Sequence, residues 1–192
     1  MPNALNLLKD DHARLRGLLE KLEQTSERGV KIRESLLEQI EIEIKVHSKI
    51  EEEIFYPAYF AAARKKDDKD LFYEATEEHH VVDMVLPELK ATSPKSEQFG
   101  AKAKVLKELI EHHADEEEKE MFRRARKLMK PDELREVGDA MAKRKESLLA
   151  QFENPLLAPV KKLGSALDKV MPAKLKQVKG KTIAKARKRS SS

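Results

Sequence analysis

The 192-residue sequence has no cysteine, which excludes disulfides, thiolate zinc sites, iron–sulfur clusters and cysteine nucleophiles. Any redox or metal chemistry must therefore use His, Asp, Glu or Tyr. Glycine is scarce, at six residues, and extended alternating runs of Val, Ile, Thr and aromatics are missing, so strands have little support. No apolar run approaches the roughly 20 residues that a membrane-spanning helix needs. The first residues, MPNALNLLKDDH, lack a charged segment followed by an apolar stretch, so no secretory signal is read there and the default location is the cytoplasm. A P-loop, a dinucleotide-binding glycine motif, a helix–turn–helix signature and a GxSxG nucleophile elbow are absent too.

Hydrophobic residues make up 40% of the chain and charged residues 39%. Leu, Ile and Val recur at helical spacing as far as Phe152, which reads as long, solvated helices around one core, an all-α protein. Helices are expected over about 3–26, 31–63, 69–90 and 97–129, and a fifth begins at Pro131, a favoured first helical position followed by the dipole-compatible acids Asp132 and Glu133. Asn3 is a plausible N-cap, and Pro57 is expected to kink or fray the second helix. The chain divides into an antiparallel up-and-down four-helix bundle over 1–130, an additional amphipathic helix packed on it over 131–154, and a basic, largely disordered tail over 155–192. Val160, Leu163, Leu167 and Val170 suggest one short amphipathic helix inside that tail. Charge separates along the same line, because residues 155–192 hold 11 Lys and Arg but a single acid, Asp168, against 28 basic and 34 acidic residues before them.

An internal repeat carries the functional argument. His12 follows Asp10 and Asp11 and precedes Leu15, Leu18, Leu19 and Leu22; His79 follows Glu77 and Glu78 and precedes Val82, Val85, Leu86 and Leu89 at the same offsets. His47 precedes Glu51 and Glu52, then Phe55 and Tyr56; His113 precedes Glu117 and Glu118, then Met121 and Phe122. Each half of the bundle is thus one hairpin carrying H…HxxxE. Residues four apart share a helix face, so each HxxxE aims an imidazole and a carboxylate at one point. Two such helices and two single-histidine helices converge inside a four-helix bundle. Four neutral nitrogens and two carboxylates suit a pair of divalent first-row metals.

The same residues lie on the apolar stripes, where an unpaired carboxylate or imidazole costs several kcal/mol. A single HxxxE in so glutamate-rich a chain means little, since charged helices produce it by chance. Four histidines at matching repeat positions favour metal ligation over buried His–Glu pairs. Register selects His79 over His80 and His113 over His112, leaving His80 and His112 at the surface or behind the ligands. The aromatics Phe55, Tyr56, Phe60, Phe72, Tyr73 and Phe122 read as core packing, some of them beside the metals.

The motifs LLKDDHARLRGLL, HSKIEEEIFYP, EEHHVVDMVL and HHADEEEKEMF, spread over about residues 4–130, resemble the hemerythrin family, specifically the HHE cation-binding domain. The resemblance implies a hemerythrin-like fold and two iron ions in an oxygen-bridged di-iron centre, with Glu51 and Glu117 as bridging carboxylates. It also implies binding or sensing of dioxygen, peroxide, nitric oxide or iron. Where oxygen-carrying members have a fifth histidine one turn after the helix-three histidine, this chain has Asp83, either a further metal ligand or a partner of one. The helix-four carboxylate follows its histidine by four residues rather than five, and Arg123 replaces the proline expected after Phe122. A harder ligand set of this kind favours ferric iron and oxidation chemistry over carriage.

The expected metal ligands are therefore His12, His47, Glu51, His79, Asp83, His113 and Glu117, with manganese or zinc as alternatives to iron according to supply. A peroxidase, catalase-like or ferroxidase activity at the same site is the enzyme alternative. Ferritin-like oxidases pair ExxH motifs on two helices, and here only Glu77 and His80 fit that spacing. The basic segment 155–192 suggests nonspecific contact with nucleic acid or an anionic membrane.

Overall fold

The computed structural model describes residues 3–153, all of whose regular elements are helical. The basic segment 155–192 and the short helix expected around Val160–Val170 lie outside the described residues. Helix α1 (Ala4–Glu23) packs on α2 (Val30–Ile50), whose line continues through a π-helical turn (Glu51–Phe55) into α3 (Tyr56–Ala62). Helix α4 (Lys66–Ala91) packs on α5 (Glu97–Glu116), which continues through a second π turn (Glu117–Met121) into α6 (Phe122–Leu128). Contacts between α1 and α5 and between α2 and α4 close the bundle, and α7 (Pro131–Glu153) lies against α1, α2 and the first π turn. Among the described residues no helix is long and apolar enough to cross a membrane.

Local chemistry fixes the helix starts. Asn3 accepts the Leu5 amide at 2.9 Å and Ser96 accepts the Phe99 amide at 3.3 Å, both satisfying otherwise orphaned first-turn donors. Asp68 accepts the Lys65 amide at 3.1 Å, and its other oxygen takes the Arg124 guanidinium at 2.8 Å, tying the start of α4 to α6. Pro131 opens α7 as expected.

Pro57 does not produce the distortion expected of it. The π turn begins six residues earlier, at Glu51, and recurs at Glu117 in the second repeat, where Arg123 takes the place of proline. Both turns start on the glutamate of an HxxxE motif. π-Helical turns concentrate at functional sites because the extra residue per turn re-aims side chains, and here the shared feature is the buried carboxylate.

The core has two apolar blocks. Leu15, Leu19, Ile40, Ile44, Val82, Leu86, Leu106 and Ile110 fill one end of the bundle. Leu5, Leu8, Ile50, Phe55, Tyr59 and Phe122 fill the other, together with Leu134, Val137 and Met141 of α7. The polar layer of His12, His47, Glu51, His79, His113 and Glu117 is buried in the same bundle. Not every apolar residue went inward: Tyr73, expected to pack in the core, is exposed and meets Phe60 and Phe72 edge-on, and Val105 and Phe152 are exposed too.

Candidate metal centre

The repeat delivers its six side chains to one buried volume. His12 comes from α1, His47 from α2, His79 from α4 and His113 from α5, while Glu51 and Glu117 open the two π turns. Glu51 is fully buried and Glu117 is 2% exposed. The Nε2 atoms of His47 and His79 lie 3.2 and 3.3 Å from the same oxygen of Glu51. Nε2 of His12 is 3.4 Å and that of His113 4.0 Å from one oxygen of Glu117, and the His79 and His113 Nε2 atoms are 3.2 Å apart.

Two donor groups result, His12–His47–Glu51–Glu117 and Glu51–His79–His113, each with one ligand atom per residue within 4.8 Å of the others. Glu51 belongs to both. His80, His112 and Asp83 are exposed; Asp83, one turn beyond His79, belongs to neither buried group.

Each imidazole turns Nε2 inward and Nδ1 toward an outer carboxylate. Nδ1 of His12 is 3.0 Å from Glu118, that of His79 3.2 Å from Glu52, and that of His113 2.7 Å from Glu78. Nδ1 of His47 faces Asp11 at 3.8 Å, outside hydrogen-bond range. The pairing follows the repeat. The acid before each odd-helix histidine serves the even-helix histidine of its own hairpin, and the acid after each HxxxE glutamate serves the odd-helix histidine of the other hairpin. An Nδ1–H held by a carboxylate leaves Nε2 with its lone pair toward the centre, the arrangement in which metal-ligating histidines are found.

These outer acids are braced in turn. Arg16 donates to Glu118 at 2.9 Å, and Lys145 of α7 donates to Asp11. Arg144, the neighbouring residue, holds Glu53 at 2.7 Å. The fifth helix thereby reaches the metal layer as well as the core. Lys145→Met keeps the packed stem and removes the ammonium that holds Asp11 behind His47, so it is expected to weaken binding at the His47 position by less than the about 10- to 100-fold that losing a direct outer partner costs. Competition titration with a chromophoric chelator checks this.

The interior electrostatics fit a cation. Burial, followed by the charge of Glu117, pushes the Glu51 carboxyl well above its usual range. Glu117 is held low despite its burial, because His12 and His113 face it. Two carboxylates in one dry volume cannot both stay ionised without positive charge beside them. Burial lowers His47 to about 4, so its ring is neutral and free to ligate. Both oxygens of Glu51 and of Glu117, and the Nε2 atoms of His12 and His47, have no hydrogen-bond partner among protein groups. Buried polar atoms left without partners are costly, and a bound cation would satisfy them.

Two aromatic residues line the layer. Phe122 stacks parallel on His12, with ring centroids 6.0 Å apart. The hydroxyl of Tyr56 lies 3.4 Å from Nε2 of His79, and burial, then Glu117 and Glu51, push it well above its ordinary pKa, so it keeps its proton. Its register, five residues beyond Glu51, was legible only as core packing. Against Leu15, Ile44, Val82 and Ile110, the four histidines enclose a cavity of about 10 Å³, room for about one water-sized molecule.

The fold and this site define a cation-binding helical bundle, and the chain belongs to the hemerythrin HHE cation-binding domain family, which matches residues 3–125. The uncharacterized protein Rv2633c of Mycobacterium tuberculosis is 33% identical over 147 residues, 76% of this chain and 87% of that protein. The Mycobacterium bovis protein Mb2666c aligns to the same extent. The crystal structure of a hemerythrin HHE cation-binding domain-containing protein, the Rv2633c homologue of Mycobacterium kansasii, superposes with a TM-score of 0.69 at 28% identity, covering 89% of this chain and all of that one. Family membership and the His/Glu cluster together support metal binding.

Proposed function

We propose that the protein is a non-haem di-iron protein that binds or senses dioxygen, peroxide, nitric oxide or iron. His12, His47, Glu51 and Glu117 would hold one metal, and His79 and His113 with Glu51 the other. The observation that carries this reading is the pair of buried donor groups sharing Glu51. A donor set of imidazole and carboxylate without thiolate suits iron, and equally admits manganese or zinc. When bound, iron supplies reversible one-electron chemistry and coordination positions for a small ligand.

The chain's own residues supply the rest. Leu15, Ile44, Val82 and Ile110 keep the cavity apolar and limit its occupant to a few atoms. The outer carboxylates orient the imidazoles. Tyr56 holds a proton at its hydroxyl 3.4 Å from Nε2 of His79, within reach of the buried donor groups. That placement also favours a second reading, a peroxide-consuming enzyme.

The test is spectroscopic. Protein loaded with ferrous iron under nitrogen is titrated with nitric oxide, dioxygen and peroxide in turn. Visible absorption is expected to change and to saturate at about one small molecule per chain, as one cavity of this size allows; no change with any of the three would refute the reading. Steady-state peroxide consumption separates catalyst from binder.

A further inference from the structure

A second group of metal-ligating side chains lies outside the buried centre. On α5, His112 and Glu116 sit one turn apart, and Glu78 of α4 faces them. Nε2 of His112 is 3.5 Å from Oε1 of Glu78 and 3.5 Å from Oε1 of Glu116, so three donor atoms from two helices converge at the surface. His112 is 64% exposed, open to solvent cations.

Glu78 has two tasks. One oxygen faces His112, while the other accepts from Nδ1 of His113, a residue of the buried centre, at 2.7 Å. Asp11 and Glu118, which occupy the corresponding place behind His47 and His12, are braced by Lys145 and Arg16. Glu78 instead faces an imidazole and a second carboxylate, the composition of a cation site.

An independent observation connects this cluster to the interior. Glu78 and Glu116 line a narrow crevice with Leu71, Ala75, Met121 and Glu117. Glu117 is 2% exposed and neither of its oxygens has a hydrogen-bond partner. The crevice thus has three glutamates and no basic residue along it, Glu78 and Glu116 being shared with the solvent-exposed His/Glu cluster and Glu117 with the buried layer. The charge sits at the mouth, where Glu78 and Glu116 meet His112, while the wall itself is mostly apolar; acidic side chains at a mouth concentrate cations there and raise association rates.

The geometry points to a surface divalent-cation site at Glu78, His112 and Glu116 that captures metal and passes it along the crevice to Glu117. The passing step rests on the buried centre proposed above; the capture step does not. Capture by one imidazole and two carboxylates is weak enough to release the ion, and the buried centre, richer in imidazole, retains it.

The test uses the full chain and cobalt(II), which is visible when ligated and is not oxidised under these conditions. Loading at limiting cobalt is followed by stopped-flow absorption for the wild type, for His112→Ala and Glu116→Gln separately and combined, and for Glu111→Gln as a neighbouring charge control. The combined variant is expected to load about tenfold more slowly and reach the same final cobalt content, with Glu111→Gln loading like the wild type. Equal rates for the combined variant and the wild type, or an equal slowing by Glu111→Gln, would overturn the proposal.

If the wild type takes up no cobalt at the buried centre, the fault lies with that centre. The surface site is then judged by proton NMR, where cobalt is expected to broaden the His112 imidazole signal selectively at low occupancy. No selective broadening at His112 overturns it.

Discussion

Glu51→Gln is expected to lower metal content from about two ions per chain to below about one, the largest loss of any single side chain in the layer. The reason is geometric. Glu51 is the residue common to both donor groups, with the Nε2 atoms of His47 and His79 at 3.2 and 3.3 Å from one oxygen. An amide keeps the shape and one oxygen but loses the charge that offsets two cations. His79→Ala, by contrast, removes a ligand from one group only and is expected to leave about one ion per chain. Mass spectrometry of the purified variants reads both numbers.

Stability of the metal-free protein should move the opposite way. Glu51 is fully buried and neither of its oxygens has a hydrogen-bond partner, and a buried polar group left unpaired costs about 1–3 kcal/mol that an apolar group of similar volume avoids. Glu51→Met is therefore expected to melt above the metal-free wild type although it binds no metal pair. A Glu51→Met protein that melts well below metal-free wild type would show that the carboxylate is held by protein contacts instead.

Removing metal from the wild type is expected to lower Tm by about 12 °C. Ligand present at about a thousand times its dissociation constant stabilises by about 4 kcal/mol, and in a chain of this size each kcal/mol shifts Tm by about 2–4 °C. The direction follows from the six buried ligand-side atoms left without partners in the protein, from Glu51, Glu117, His12 and His47. Calorimetry before and after chelation, with metal restored in a third scan, measures it. Glu51→Met is expected to show no comparable shift, which separates specific ligation from general effects of the chelator. An unchanged wild-type Tm would mean that the layer is satisfied without cations.

Much of this was legible in the sequence because helices translate spacing into direction. HxxxE places two side chains on one face whatever the surroundings, and the identical apolar offsets after His12 and His79 set which member of the His79–His80 pair points inward. Helix extents were close: 97–129 was expected where α5, its π turn and α6 run Glu97–Leu128, although α4 begins at Lys66 rather than Lys69.

What escaped was whatever depends on contacts between hairpins. The π turns at Glu51 and Glu117 change the aim of side chains over only five residues, too short a stretch to shift a hydrophobic period. Pro57 drew attention to the right region for the wrong reason. Asp11, Glu52, Glu78 and Glu118 were visible as the second member of each doublet, but only as markers of the repeat. Their service to a histidine on another helix emerges from packing. Lys145 gave no signal at all, since a lysine on an amphipathic helix normally faces water, and its role arises because α7 docks over α1.

That these histidines and glutamates hold a metal pair is checked by metal content by mass spectrometry on untagged protein, paired with a visible spectrum in air. About two irons per chain are expected, with ferric charge-transfer absorption that His113→Ala abolishes. No iron as purified, and no uptake of ferrous iron under nitrogen, would contradict the claim and make the buried layer a structural one.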